Sequence, residues 1–92
     1  MKNANVEIYS DATNMAVIRH PGRRLPGVLV QGDTLFGIVQ ELGEVLSEKD
    51  KLSEDTAVGL GDLYELLSGM LKHYSAVLEE HGMDLPFYSL KK

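Results

Sequence analysis

The sequence predicts an α+β fold: a three-stranded antiparallel sheet in β-β-β order, followed by two helices of which the second is long. Three observations carry this reading. Short alternating or β-branched runs are confined to the first third of the chain, apolar residues recur at helical spacing through the rest, and clusters rich in Pro, Gly, Asp and Asn separate the runs. The expected layout is one domain over residues 1–92, with a β-meander over 6–31, a first helix over 34–48, a second over 54–81 and an extended tail over 83–92.

Val6-Glu7-Ile8-Tyr9-Ser10 alternates apolar and polar side chains, as a strand with one covered face does. Asp11-Ala12-Thr13-Asn14 suits a turn, and Met15-Ala16-Val17-Ile18-Arg19-His20 follows closely enough to form a hairpin with the first strand. Pro21-Gly22-Arg23-Arg24-Leu25-Pro26-Gly27 cannot continue a central strand, because its prolines lack N–H donors. Val28-Leu29-Val30-Gln31 reads as the third strand, ended by Gly32, with Asp33 or Thr34 as the expected helix N-cap.

Leu35, Ile38, Val39, Leu42, Val45 and Leu46 lie at the spacing of a helix with one apolar face, and Gln40, Glu41, Glu44 and Glu48 fall on the other. Ser53 before Glu54 and Asp55 marks a capped, acid-rich helix start. The second apolar stripe runs from Leu60 to Leu78 and stops at His81-Gly82, where glycine suits a left-handed cap. A rod from Glu54 to Glu80 would be ~40 Å long, beyond the ~30 Å width of a domain this size. A break near Gly59 and Gly61, or a dimer contact, is therefore expected. The apolar residues of Leu85-Pro86-Phe87-Tyr88 are expected to fold back on the core.

Composition narrows the chemistry. Hydrophobic residues at 43% and charged residues at 25% are those of a globular chain, and its 92 residues suffice for one modest core. The absence of cysteine removes thiolate nucleophiles, zinc knuckles, iron–sulfur ligation and disulfides together. The first residues lack the apolar run of a signal peptide and no stretch approaches the ~20 apolar residues that span a bilayer, so a cytoplasmic protein without membrane contact is expected. His20, His73 and His81 are far apart and outside any metal-ligand spacing, no serine sits in a G-x-S-x-G elbow, and the glycines form no phosphate-cradling fingerprint. The prediction is a non-enzymatic protein with neither cofactor nor metal.

The charge pattern points to partners. Fourteen acidic against nine basic residues give a net charge of −5, which disfavours nucleic acid and favours a basic protein. Arg19, Arg23 and Arg24 form one basic cluster, and Glu41, Glu44 and Glu48 an acidic helical face; both sets are candidate partner contacts. Leu67, Met70 and Tyr74 on the long helix are candidate contacts of a homodimer.

The segment Leu25-Pro26-Gly27-Val28-Leu29-Val30-Gln31-Gly32-Asp33-Thr34-Leu35 resembles the signature of HicB-type antitoxin domains, in which an LPG-strand-QGDT-helix order recurs. It also resembles a family of short uncharacterised bacterial proteins with an R-R-x-P-G-V-L-V-Q-G-D-[ST]-L core. The likeness covers residues 6–46. It implies a degenerate double-stranded-RNA-binding-like fold and the blocking of a small basic ribonuclease toxin. Three departures stand out: Val28 where the antitoxin family often has cysteine, Phe36-Gly37-Ile38 in place of an acidic helix start, and a long amphipathic second half with no ribbon-helix-helix or helix-turn-helix pattern. The expected function is that of an antitoxin or immunity protein that occludes a basic toxin or effector. The other reading is a homodimeric regulatory or structural protein whose arginine loop contacts a nucleotide or nucleic acid.

Overall fold

In a computed structural model, residues 1–87 are described. They follow the expected α+β order: strands β1 (Glu7–Ser10), β2 (Met15–Arg19) and β3 (Gly27–Val30), then helix α1 (Gly32–Leu46), a single 3₁₀ turn over Lys49–Lys51, and helix α2 (Glu54–Glu80). The chain divides into two compact units, Met1–Gln31 and Gly32 onward.

The first unit is a three-stranded antiparallel sheet with β2 in the middle. Its first turn closes through Met15 N–H donating to the Ala12 carbonyl at 3.2 Å, with Asn14 at φ 67°, a left-handed conformation that Asn tolerates. The second connection starts with a turn over His20–Arg23, where Pro21 supplies a preset φ and the His20 carbonyl accepts from Arg23 N–H at 2.9 Å. In the β2/β3 register Met15 faces Val30, Ala16 faces Leu29 and Val17 faces Val28. Facing residues share a side of an antiparallel sheet. One side therefore carries Met15, Val17, Val28 and Val30, and the other Ile8, Ala16, Ile18 and Leu29. Both sides are apolar.

The second unit is a pair of antiparallel helices. Gly32 at the start of α1 lies against Tyr74 late in α2, and Gly43 near the end of α1 against Tyr64 early in α2. Val39 and Leu71 are the buried apolar side chains among the described residues, one from each helix. The tail folds back as expected as far as Phe87, whose ring stacks on Phe36 with centroids 4.5 Å apart and lies 6.3 Å from Tyr74. Tyr88 and the residues after it lie outside the described part.

Two helix expectations are corrected. α1 starts at Gly32, so neither Asp33 nor Thr34 is its N-cap; Asp33 sits in the first turn, where its carboxylate faces the positive end of the helix dipole and accepts from Thr34 N–H at 2.8 Å. The boundaries 34–48 thus become Gly32–Leu46. α2 is continuous through Gly59 and Gly61, because each glycine costs a helix only about 1 kcal/mol and both lie in the span where Ala57, Leu60, Tyr64 and Leu67 pack inward. Its ends match the reading: Ser53 Oγ accepts from Thr56 N–H at 3.2 Å, and Gly82 takes φ 66° just past His81.

Gly32 is buried, and a Cβ there would run into the ring of Tyr74. Gly32→Ala is therefore expected to destabilise the fold by about 1–2 kcal/mol, as overpacking does, and the loss should vanish in a Tyr74→Ala background; chemical denaturation of the four-member cycle measures both. Leu71→Ala should cost about 2–5 kcal/mol in the same assay.

Candidate protein-binding surface

The helix pair exposes more apolar surface than its own packing needs. With successive residues about 100° apart around a helix, Ile38 and Val45 line one side of α1, displaced roughly 120–140° from the face formed by Gly32, Val39 and Gly43 that meets α2. Leu63, Leu66, Met70 and Val77 line one side of α2, displaced by a similar angle and in the same rotational sense from the face of Leu71. Two antiparallel helices whose strips are displaced in the same sense present them on the same side of the pair. Half-buried Leu35 and Leu42 join the two strips across α1. Ile38, Val45, Leu63, Leu66 and Met70 are 45%, 46%, 45%, 61% and 53% exposed, so this side is an apolar face open to solvent.

Carboxylates rim it. On α1 the next strip outward carries Glu41, continued past the helix end by Glu48, with Glu44 further round; on α2 it carries Asp55, Asp62 and Glu80, with His73 among them. All are exposed. Glu48 also accepts from Lys51 Nζ at 2.6 Å, a surface ion pair that adds little to stability. An apolar centre inside a charged rim has the anatomy of a protein-binding patch.

The opposite side of the pair holds a shallow groove of about 310 Å³ lined by Phe36, Val39, Gln40, Gly43, Glu44, Ser47 and Tyr64. One carboxylate, one hydroxyl and one phenol there form no hydrogen-bonded relay. Among the described residues no group of three or more His, Asp or Glu could hold a metal ion, and no helix is long and apolar enough to cross a membrane. The Ser68 hydroxyl is buried with no hydrogen-bond partner among them.

The sequence-derived candidates divide. Glu41, Glu44 and Glu48 share the outer side of α1 as expected. Of the three residues proposed for a dimer, Met70 lies on the exposed strip, whereas Leu67 and Tyr74 are half-buried towards the Leu71 side. Leu63 and Leu66 share the strip with Met70 and were missed, although their seven- and four-residue offsets from Met70 hold the signal. Arg19 is engaged within the sheet: its Nε donates to Glu7 Oε1 at 2.5 Å and its Nη1 to the Arg23 carbonyl at 2.8 Å. It ties β1 to β2 and braces the loop, which leaves Arg23 and Arg24 as the exposed part of the basic cluster.

Charge is split between the units. Residues 1–31 hold four basic residues (Lys2, Arg19, Arg23, Arg24) against two acidic (Glu7, Asp11), while residues 32–92 hold five basic against twelve acidic. The acidity of the chain belongs to the helices.

A model of a family of unknown function, DUF6959, matches residues 1–87. The chain belongs to this family. The matched span takes in the sheet and both helices of this chain. No curated protein and no solved structure matches the chain.

The hydrogen bond and charge of Arg19 hold the Glu7 carboxyl below the usual carboxylate range. With the folded value below the unfolded one, the pair stabilises the fold above the ordinary carboxylate pKa, and that contribution disappears as pH falls through the lowered value. Glu7→Gln should therefore flatten the acid limb of stability against pH and leave the profile above neutrality parallel to that of the parent, as thermal melts over a pH series would show.

Proposed function

We propose that this chain is a non-enzymatic inhibitor of the antitoxin or immunity type, which binds a basic protein effector and occludes it. The observation that carries the reading is the apolar face of the helix pair, Ile38, Val45, Leu63, Leu66 and Met70, rimmed by Glu41, Glu48, Asp55 and Asp62. Its acidic rim would steer a basic partner into register, and burial of its apolar centre would slow dissociation. The resemblance of residues 25–35 to HicB-type antitoxins supports the same reading. The arginine loop suits a nucleotide or nucleic acid less well, because Arg19 is already bonded to Glu7 and Arg23 and no aromatic platform accompanies the remaining two arginines.

The test is capture from a lysate of the native cell at low and high salt with three baits: the parent chain, Leu66→Asp, and Glu41→Lys with Glu48→Lys. A small basic protein that inhibits growth when expressed alone, is neutralised by the parent chain, and binds roughly tenfold or more weakly to either variant is the expected result. A partner indifferent to both variants and to salt would overturn the reading.

A further inference from the structure

Each helix carries two apolar seams of heptad spacing, and the helix pair uses one of each. On α1 the seam facing α2 is Leu35, Val39, Leu42 and Leu46; on α2 the seam facing α1 is Leu60, Tyr64, Leu67, Leu71, Tyr74 and Leu78. Both alternate steps of four and three residues, the period at which helices interlock side chains. A second seam of the same period runs beside each: Leu35, Ile38, Leu42 and Val45 on α1, and Leu63, Leu67, Met70, Tyr74 and Val77 on α2. Burial follows the seams. Leu35, Leu42, Leu67 and Tyr74 belong to both and are half-buried; of those in the second seam alone, Ile38, Val45, Leu63 and Met70 are exposed and Val77 is half-buried. The two seams of one helix lie roughly 50–60° apart, close to the angle at a corner of a triangle of packed helices.

We infer that the partner of this face is a single basic amphipathic helix, which lies between α1 and α2 and completes a three-helix bundle. The inference rests on the effector reading above and deepens it. Both second seams fall on the same side of the pair, so one helix laid there touches both, and its own apolar residues at heptad spacing find matching gaps on each. The seams run from Leu35 to Val45 and from Leu63 to Val77, rises of about 15 and 21 Å, which a helix of three to four turns spans. Charge selects the occupant. The outer borders carry Glu41 and Glu48 on α1 and Asp55 and Asp62 on α2, each pair seven residues apart and in step with its seam. Lys72 is the one Lys or Arg within α1 and α2, and it lies on the opposite side of the pair. Lys or Arg on both flanks of the incoming stripe therefore meets a row of carboxylates on each border, as flanking charges do when they set partner choice in coiled coils. The helix pair of a second copy brings the same carboxylates and is repelled.

The test uses the full chain and three synthetic peptides of roughly three heptads: one with Leu at a and d and Lys at e and g, a second with the same residues reordered to alternate apolar and polar, and a third with Glu in place of Lys. Fluorescence anisotropy of the labelled peptides measures binding and circular dichroism measures helix gained. The first peptide should bind, gain helix, and bind at least tenfold more tightly than either of the others. I38D on α1 and M70D on α2 should each weaken it about tenfold or more, and E65K, on the other side of α2, should change it less than twofold. Both substituted residues are exposed, and melting profiles matching the parent's show that the fold is kept; M70A, with a smaller loss of binding, replaces M70D if it melts early. Equal binding of the alternating peptide, binding without gain of helix, or sensitivity to only one of I38D and M70D would overturn the helix inference and leave a basic effector standing. No binding of the Leu/Lys peptide would do the same, because the lysate capture decides the effector reading separately. Equal binding of the Glu peptide, or a dimer in sedimentation that I38D abolishes, would count against both.

Discussion

Everything in the second unit depends on how closely α1 can approach α2, and that distance is set where glycine meets tyrosine. Gly32 admits the ring of Tyr74 at one end of α1, and Gly43 lies against Tyr64 near the other. With no side chain at position 32 the helices come close enough for Val39 and Leu71 to be buried between them, whereas a Cβ at position 43 would meet Tyr64 at ordinary contact distance. The aromatic side chains do double duty, since Tyr74 also lies beside Phe87, which in turn stacks on Phe36. A larger residue at position 32 would disturb the helix contact and the docking of the tail together.

A pair of helices can bury only one stripe of each. The apolar band of α1 extends from Phe36 round to Ile38, and that of α2 from Ala57 round to Leu66, each about half of the helix circumference. Each contact uses roughly half of its band. The surplus falls on one side of the pair because the two helices are antiparallel and their surplus strips are displaced in the same sense. A binding face thus follows from the width of two hydrophobic bands, with no loop or special residue required. The sheet has the same property in another form: strands of alternating pattern normally cover one side, but here Val17 and Ile18, adjacent in β2, begin apolar sides in opposite directions.

The order of elements was legible because each rests on a local signal. The alternation in β1, the spacing of Leu35, Ile38, Val39 and Leu42, the Ser53 cap and the glycine after His81 all act within a few residues. What was misread depends on tertiary context. Gly59 and Gly61 lower helix propensity locally, yet α2 runs through them because its inward residues on both sides are packed. The start of α1 was placed two residues late because Asp33 and Thr34 have the chemistry of caps, while Gly32 is drawn into the helix where it meets Tyr74. The rotation of α2 was the costliest ambiguity for the candidate site. Leu63, Leu66, Leu67, Met70 and Tyr74 all belong to one broad band, and only the position of α1 decides that Leu67 and Tyr74 turn inward while Leu63, Leu66 and Met70 remain outside. Arg19 was legible as basic but not as engaged, since its partner Glu7 lies twelve residues away on another strand.

The family match across residues 1–87 spans both the weakly basic sheet and the strongly acidic helix pair of this chain, and the two units present different surfaces. The face on the helices is rimmed by carboxylates, so association through it would be steered by charge and weaken as salt rises.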